Sequence, residues 1–182
     1  MRKIILFNKP FQVLSQFTDE QQRKTLADYI QIPHVYPCGR LDRDSEGLML
    51  LTDDGKFQAK ISHPDFKLNK TYWVQVEGIP TREALETLRN GVHLKDGLTL
   101  PARVKTLEQV TLWDRYPPVR FRKTVTDSWL EISIRQGKNR QVRRMTAAVG
   151  FPTLRLVRVA IGHYRLGDLQ PGQWREIKHL TA

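Results

Sequence analysis

Apolar and polar positions along this chain change period several times, and each change marks an element. Residues 3–8 (KIILFN) form a nearly unbroken apolar run and read as a short strand. NKPF at 8–11 reads as a turn, and residues 13–17 as the hairpin partner of that first strand. Residues 25–30 predict a short helix stopped by Pro33. A second apolar run, 48–52, predicts another buried strand, with a helix over 55–62 behind it. At 71–77, TYWVQVE is rich in β-formers and places Tyr72 and Trp73 on opposite faces, with Trp73 expected in the core. Gly78-Ile79-Pro80 is a break. Thr81 is then the expected N-cap of REALETLRN (82–90), which Asn90-Gly91 closes. Short strands over 92–94 and 98–104 flank an Asp96-Gly97 turn.

The second half continues in the same way. Residues 113–126, with Pro117-Pro118, have no period and read as a surface loop. WLEISI at 129–134 alternates and predicts a strand. Over 139–149, Val142, Met145 and Val149 recur at i, i+3 and i+7, the core stripe of a helix. Arg140, Arg143, Arg144 and Ala147 fall on its other side. Strands are predicted at 154–161 and 172–177. Hairpin-like turns outnumber strand–helix–strand units, so the fold class expected is α+β: a mixed, mostly antiparallel sheet with helices packed on it. The chain is read as one domain over residues 1–182, with two lobes dividing near residue 69 and a central basic cleft.

Composition narrows the partners. There are 30 Lys and Arg against 19 Asp and Glu, a net charge of +11, which favours a polyanion: nucleic acid first, anionic membrane second. Arg115, Arg120, Arg122 and Lys123 make the 113–126 loop basic. Lys138, Arg140, Arg143 and Arg144 cluster where a strand gives way to a helix start, where backbone N–H groups and the helix dipole already favour anions. No apolar run approaches the ~20 residues of a membrane span. The N-terminal apolar stretch breaks at Pro10, too early for a signal peptide, so a soluble cytoplasmic protein is expected. Cys38 is the one cysteine, which excludes an internal disulfide and a Cys-rich zinc site. It reads as a small buried residue leading into a turn, not as a nucleophile. His63, before Pro64, has no second histidine at ligand spacing and reads as structural or RNA-contacting; no metal site is expected.

Candidate chemistry concentrates at residues 39–55, GRLDRDSEGLMLLTDDG. Asp42 sits between Arg40 and Arg43, two cations that favour its ionised form. The apolar run that follows at once gives it a stiff mount. Asp42, Asp44, Glu46, Gly47 and Asp53 also follow calcium-loop spacing, but that motif needs flanking helices, which Pro37 and Gly39 before it and the strand pattern after it deny. A carboxylate pair among Asp42, Asp44 and Glu46 would equally suit a glycosidase. The cationic surroundings favour a phosphate-bearing substrate. Tyr72 reads either as a core aromatic or as a ring that stacks on an extruded base.

Together these segments resemble the RsuA family of pseudouridine synthases. The matching pieces are NKP (8–10), GRLDRDSEGLMLLTDDG (39–55), His63-Pro64, KTYWVQVEG (70–78), GKNRQVRRM (137–145), LRLVRVAIG (154–162) and PGQWREI (171–177). QFTDE (16–20), VEGIPT (76–81) and VGFPTLRL (149–156) are similar to a bacterial subgroup whose substrate is the RNA of the large ribosomal particle. The resemblance implies isomerisation of a specific uridine in 23S ribosomal RNA, by base flipping and by cutting and remaking the glycosidic bond, without a cofactor. It implies Asp42 as the catalytic carboxylate, nucleophile or base, with Lys138 as its basic partner and Tyr72 as the aromatic wall. Arg40, Arg43, Arg140, Arg143 and Arg144 are implied to bind RNA, and Ile161 to pack near the base. A monomer free of membrane is expected. Many relatives begin with a small RNA-binding module of the S4 type, which this chain is expected to lack. Gln136 stands where many relatives have Glu, with an expected effect on local hydrogen bonding. Two other classes fit the residues alone: a catalytically silent RNA-binding module, and a nucleoside hydrolase that would release free uracil.

Overall fold

Residues 4–9 form a strand whose backbone is paired on both sides. In a computed structural model, which describes residues 2–63, 65–66, 68–120 and 124–178, the elements in chain order are these. The strands begin with β1 (Ile4–Lys9), β2 (Tyr36–Pro37) and β3 (Glu46–Thr52), followed by helix α1 (Gly55–Ser62). Then come β4 (Lys70–Glu77), α2 (Arg82–Asn90), β5 (His93–Leu94), β6 (Gly97–Leu98), β7 (Arg103–Leu107) and β8 (Asp127–Ile134). Helix α3 (Gln141–Ala148) precedes β9 (Thr153–Ile161), β10 (Tyr164–Arg165) and β11 (Trp174–Ile177). No helix among the described residues is long and apolar enough to cross a membrane. The chain divides into two units, residues 1–66 with 158–182, and residues 67–157.

In the first unit the strand order is β11-β1-β3-β9, and β1 is antiparallel to both β3 and β11. Every residue of β1 and β3 is buried. Ile5, Phe7, Met49 and Leu51 pack on Leu26, Ile30, Val35 and Leu41. The expected hairpin partner at 13–17 is therefore not a strand. Both sides of β1 are occupied by strands distant in sequence, and that stretch makes an isolated bridge, Leu14 with Thr25. The helix expected at 25–30 shrinks to a 3₁₀ turn, Leu26–Asp28, fixed by a capping box from Thr25 and Asp28. Helix α1 starts at the expected residue because the Asp54 carboxylate accepts the Lys56 and Phe57 N–H groups. The calcium-loop reading fails here: β2 precedes the acidic segment, β3 follows it, and Glu46 is the buried first residue of β3.

The second unit has the order β9-β4-β8-β7, with β8 antiparallel to both β4 and β7, and a β5–β6 hairpin beside it. The strand expected at 98–104 is two pieces, Leu98 closing β6 and β7 running on to Leu107. Thr81 caps α2 by accepting the Ala84 N–H. The facing of β4 corrects the expectation for Trp73. Tyr72, Val74 and Val76 point into the core with Leu130 and Ile132, and Trp73 lies half-buried on the other face. The cause is that Leu88 of α2 and Val142 and Met145 of α3 cover the Tyr72 side. Helix α3 is shorter at both ends than 139–149, and adds Gln141 and Thr146 to its buried stripe.

Candidate active site

In the first unit the sequence places Asp42 in a link between β2 and β3 whose backbone is held on both flanks. On the near flank, the buried Ser15 hydroxyl serves both polar groups of Leu41: it accepts the Leu41 N–H at 3.0 Å and donates to the Leu41 carbonyl. On the far flank, the Arg43 carbonyl accepts the Gln12 N–H at 2.7 Å. The Ser45 N–H closes the link by donating to the Asp42 carbonyl at 3.0 Å. Asp42 is half-buried, with Arg40 exposed and Arg43 on its other side. Arg40 donates to the Gln16 side chain at 2.8 Å.

Beneath the same link lies a lysine that sequence reasoning did not assign a role. Lys9, the last residue of β1, is fully buried. Its ammonium donates to the carbonyls of Pro10 at 2.9 Å, Val13 at 2.8 Å and Arg43 at 3.4 Å. Burial pulls its pKa down to about 7, while Glu46, Asp44 and Asp42 draw it upward and Arg158 adds to the depression. The only sequence signal for this burial is the placement of Lys9 at the end of an apolar run.

Two further features of the first unit fix the start of β3. Arg158, buried, donates its Nε to the Leu48 carbonyl at 2.9 Å. Gly47 has φ +109°, and a Cβ there would overlap the Arg158 carbonyl oxygen and lie 2.7 Å from the Arg158 nitrogen. Ile161 is buried in β9, opposite Tyr164 of β10. Cys38 is buried as expected, its N–H bonded to the Leu50 carbonyl at 2.8 Å, and burial pushes its thiol up to about 12. That environment suppresses thiolate chemistry.

The second unit carries the other predicted residues. Tyr72 is 8 % exposed and pairs across the sheet with Ile132. Lys138 is exposed in the link between β8 and α3. Arg140, also exposed, holds a left-handed conformation (φ 53°) just before α3. Arg143 and Arg144 are half-buried. Arg144 is committed within its own unit: it donates to the Asp96 carboxylate at 2.7 Å and to the Asn139 carbonyl at 3.0 Å, and it holds the Asp96 carboxyl below its usual range. Gln136 accepts from the Leu100 N–H and from the Gln141 side-chain amide, each at 2.9 Å. Those are two acceptor bonds that a glutamate could equally make.

Arg115 donates to the Pro117 and Leu154 carbonyls, while Arg122 and Lys123 lie outside the described residues, as does Pro64. His63 ends α1 and accepts the Asp65 N–H through Nδ1 at 3.1 Å. Asp42, Arg40, Arg43 and Ile161 thus belong to one unit, and Tyr72, Lys138, Arg140, Arg143 and Arg144 to the other.

Comparison with known proteins agrees with this set of motifs. The family profile for RNA pseudouridylate synthase matches residues 3–148. A ribosomal large subunit pseudouridine synthase E from Vibrio parahaemolyticus is 63% identical over 177 residues, covering 97% of this chain and 74% of that protein. One of the same name from Xanthomonas campestris is 59% identical, covering 94% of each chain. Among solved structures, a pseudouridylate synthase crystal structure superposes with a TM-score of 0.81 at 27% identity, covering 98% of this chain and 71% of that one.

Proposed function

The chain belongs to the RNA pseudouridylate synthase family, and from that premise we propose that it isomerises uridine to pseudouridine in large-subunit (23S) ribosomal RNA. The reaction cuts the C1′–N1 bond, turns the uracil and joins C1′ to C5; the C5 proton leaves and N1 gains one, so substrate and product are isomers. Asp42 works at C1′, as the nucleophile or as the base that forms a glycal-like intermediate. The observation that carries this role is the mounting of its backbone. Leu41 and Arg43, on either side, are both hydrogen-bonded to the segment that follows β1, so the backbone that carries the carboxylate has little freedom.

Lys138 is the basic partner of this carboxylate, the role that its match to the family motif implies. Tyr72 offers its ring to the detached uracil, and its hydroxyl is a candidate to move the C5 proton. Its burial suits a wall kept dry, and dryness matters because water attacking the intermediate would leave an abasic site. Ile161 contributes apolar surface to the same end. Flipping the nucleotide costs a few kcal/mol, which phosphate contacts must offset. Arg43, Arg140, Arg143 and Arg144 supply those contacts, and Arg40 fills the gap in the RNA helix. Arg144 has to share itself with Asp96 while doing so.

The test uses large-subunit RNA labelled with tritium at uridine C5. Wild-type protein releases tritium. Asp42→Asn, nearly isosteric, takes release to background while RNA affinity stays within about twofold, the scale of a neutral surface change. Normal release by the variant removes Asp42 from the mechanism. Free uracil among the products would redirect the assignment to a hydrolase.

A further inference from the structure

The mechanism above uses the carboxylate at the tip of the 40–45 link but not the cation buried under it. Lys9 has no exposure to solvent, yet a lysine side chain is among the costliest groups to bury without compensation. Its compensation is specific. An ammonium has three N–H donors, and three carbonyl oxygens receive them, from Pro10, Val13 and Arg43. Two of these carbonyls lie in the turn that follows β1, and the third belongs to the residue next to Asp42. The same Arg43 oxygen also takes the Gln12 N–H from that turn. Lys9 and Gln12 together therefore tie the Asp42 link to β1. The charges facing Lys9 are Glu46, Asp44 and Asp42 on the link and the start of β3, and Arg158 on β9.

We propose that Lys9 is a positioning residue for Asp42: its ammonium fixes the carbonyl beside the catalytic carboxylate, and loss of its proton loosens that link and sets an alkaline limit on activity. This rests on the catalytic reading of Asp42. A neutral amine keeps two N–H donors and turns a lone pair toward one of the three oxygens. The longest of the three bonds, at 3.4 Å to Arg43, is the one least able to survive. Lys9 titrates close to neutrality, so the change falls where activity can be measured.

The experiment follows single-turnover tritium release from C5-labelled large-subunit RNA between about pH 6 and 9.5, across the Lys9 transition. Wild-type protein is expected to fall from an acid plateau to an alkaline plateau several-fold lower, as a single proton is lost. Lys9→Met, neutral at every pH, is expected to show the lower rate throughout. Asp44→Asn leaves Lys9 in place but removes one of the charges that hold its proton, so the midpoint moves to lower pH with the acid plateau kept. That second variant decides the matter if Lys9→Met does not fold. A flat wild-type profile, or a midpoint that ignores Asp44→Asn, overturns the proposal.

An independent readout needs no activity: hydrogen exchange at the Gln12 and Ser45 amides. Their protection is expected to drop through the same midpoint, beyond the intrinsic acceleration by base. Unchanged protection overturns the loosening of the link. If protection drops as expected but wild-type protein releases no tritium at any pH, the lysine clamp stands and the catalytic reading of the site is what fails.

Discussion

At the scale of single residues, Lys9 and Ser15 do what the exposed charges cannot: they convert a surface link into a fixed mount. Each is buried, and each satisfies more than one backbone group of its surroundings. Lys9 also gives a thermodynamic signature opposite to its proposed effect on rate. Its folded pKa is lowered from 10.5 to about 7, so between those limits the unfolded chain binds more protons than the folded one. Stability contributed at this site therefore rises as pH climbs from about 7 toward 10.5 and is flat below that window. In urea melts, Lys9→Met should abolish that rise, a difference on the order of a few kcal/mol across the window. A parallel pH trend in wild type and variant would show that another group is responsible. None of this was visible in the chain, where Lys9 falls in the turn read at residues 8–11. Its burial follows from pairing on both sides of β1, a non-local event.

Among the elements, β3 is the one on which the site depends, and Gly47 is its most constrained position. The residue has a left-handed φ and its α-carbon faces the Arg158 backbone with no room for a methyl group. Gly47→Ala should cost at least about 2–3 kcal/mol, lowering the melting temperature by roughly 5–10 °C for a chain of this size. A variant that melts within about a degree of wild type would mean that β9 can retreat. The strand itself was legible from its apolar run, and α2 was legible from Thr81 and the Asn90-Gly91 that closes it. Local rules sufficed there because capping and periodicity act over three or four residues. They failed at residues 13–17 and at Tyr72 against Trp73. In the first case distant strands claimed both sides of β1, and in the second the covered face was decided by helices 10 and 60 or more residues away in the sequence.

For the whole molecule, the excess of 30 basic over 19 acidic residues is the property that acts at a distance. Several cations are spent internally, among them Arg23 on Asp19, Arg89 on Glu86, Arg144 on Asp96 and Arg175 on Asp168. Arg40, Arg43, Lys138 and Arg140 lie exposed on the links that carry the family motifs. Affinity for large-subunit RNA should therefore fall linearly on a log–log plot against salt, by at least roughly tenfold between about 50 and 200 mM, as two or three phosphate contacts give. A flat plot would place recognition outside the phosphates. The motifs that fix the family were legible from residue identity alone, because chemistry demands particular side chains in particular order. The devices that hold the Asp42 link were not, since they are backbone carbonyls brought together by the sheet.

The thiol of Cys38 offers a practical use of the fold. It is the sole sulfhydryl in the chain, it sits 4 % exposed beside β3, and its proton is held to about pH 12. An alkylating or disulfide reagent meets no reactive target until β2 parts from β3. The speed of labelling then becomes a clock for the opening of that unit, with no dye, tag or engineered reporter required.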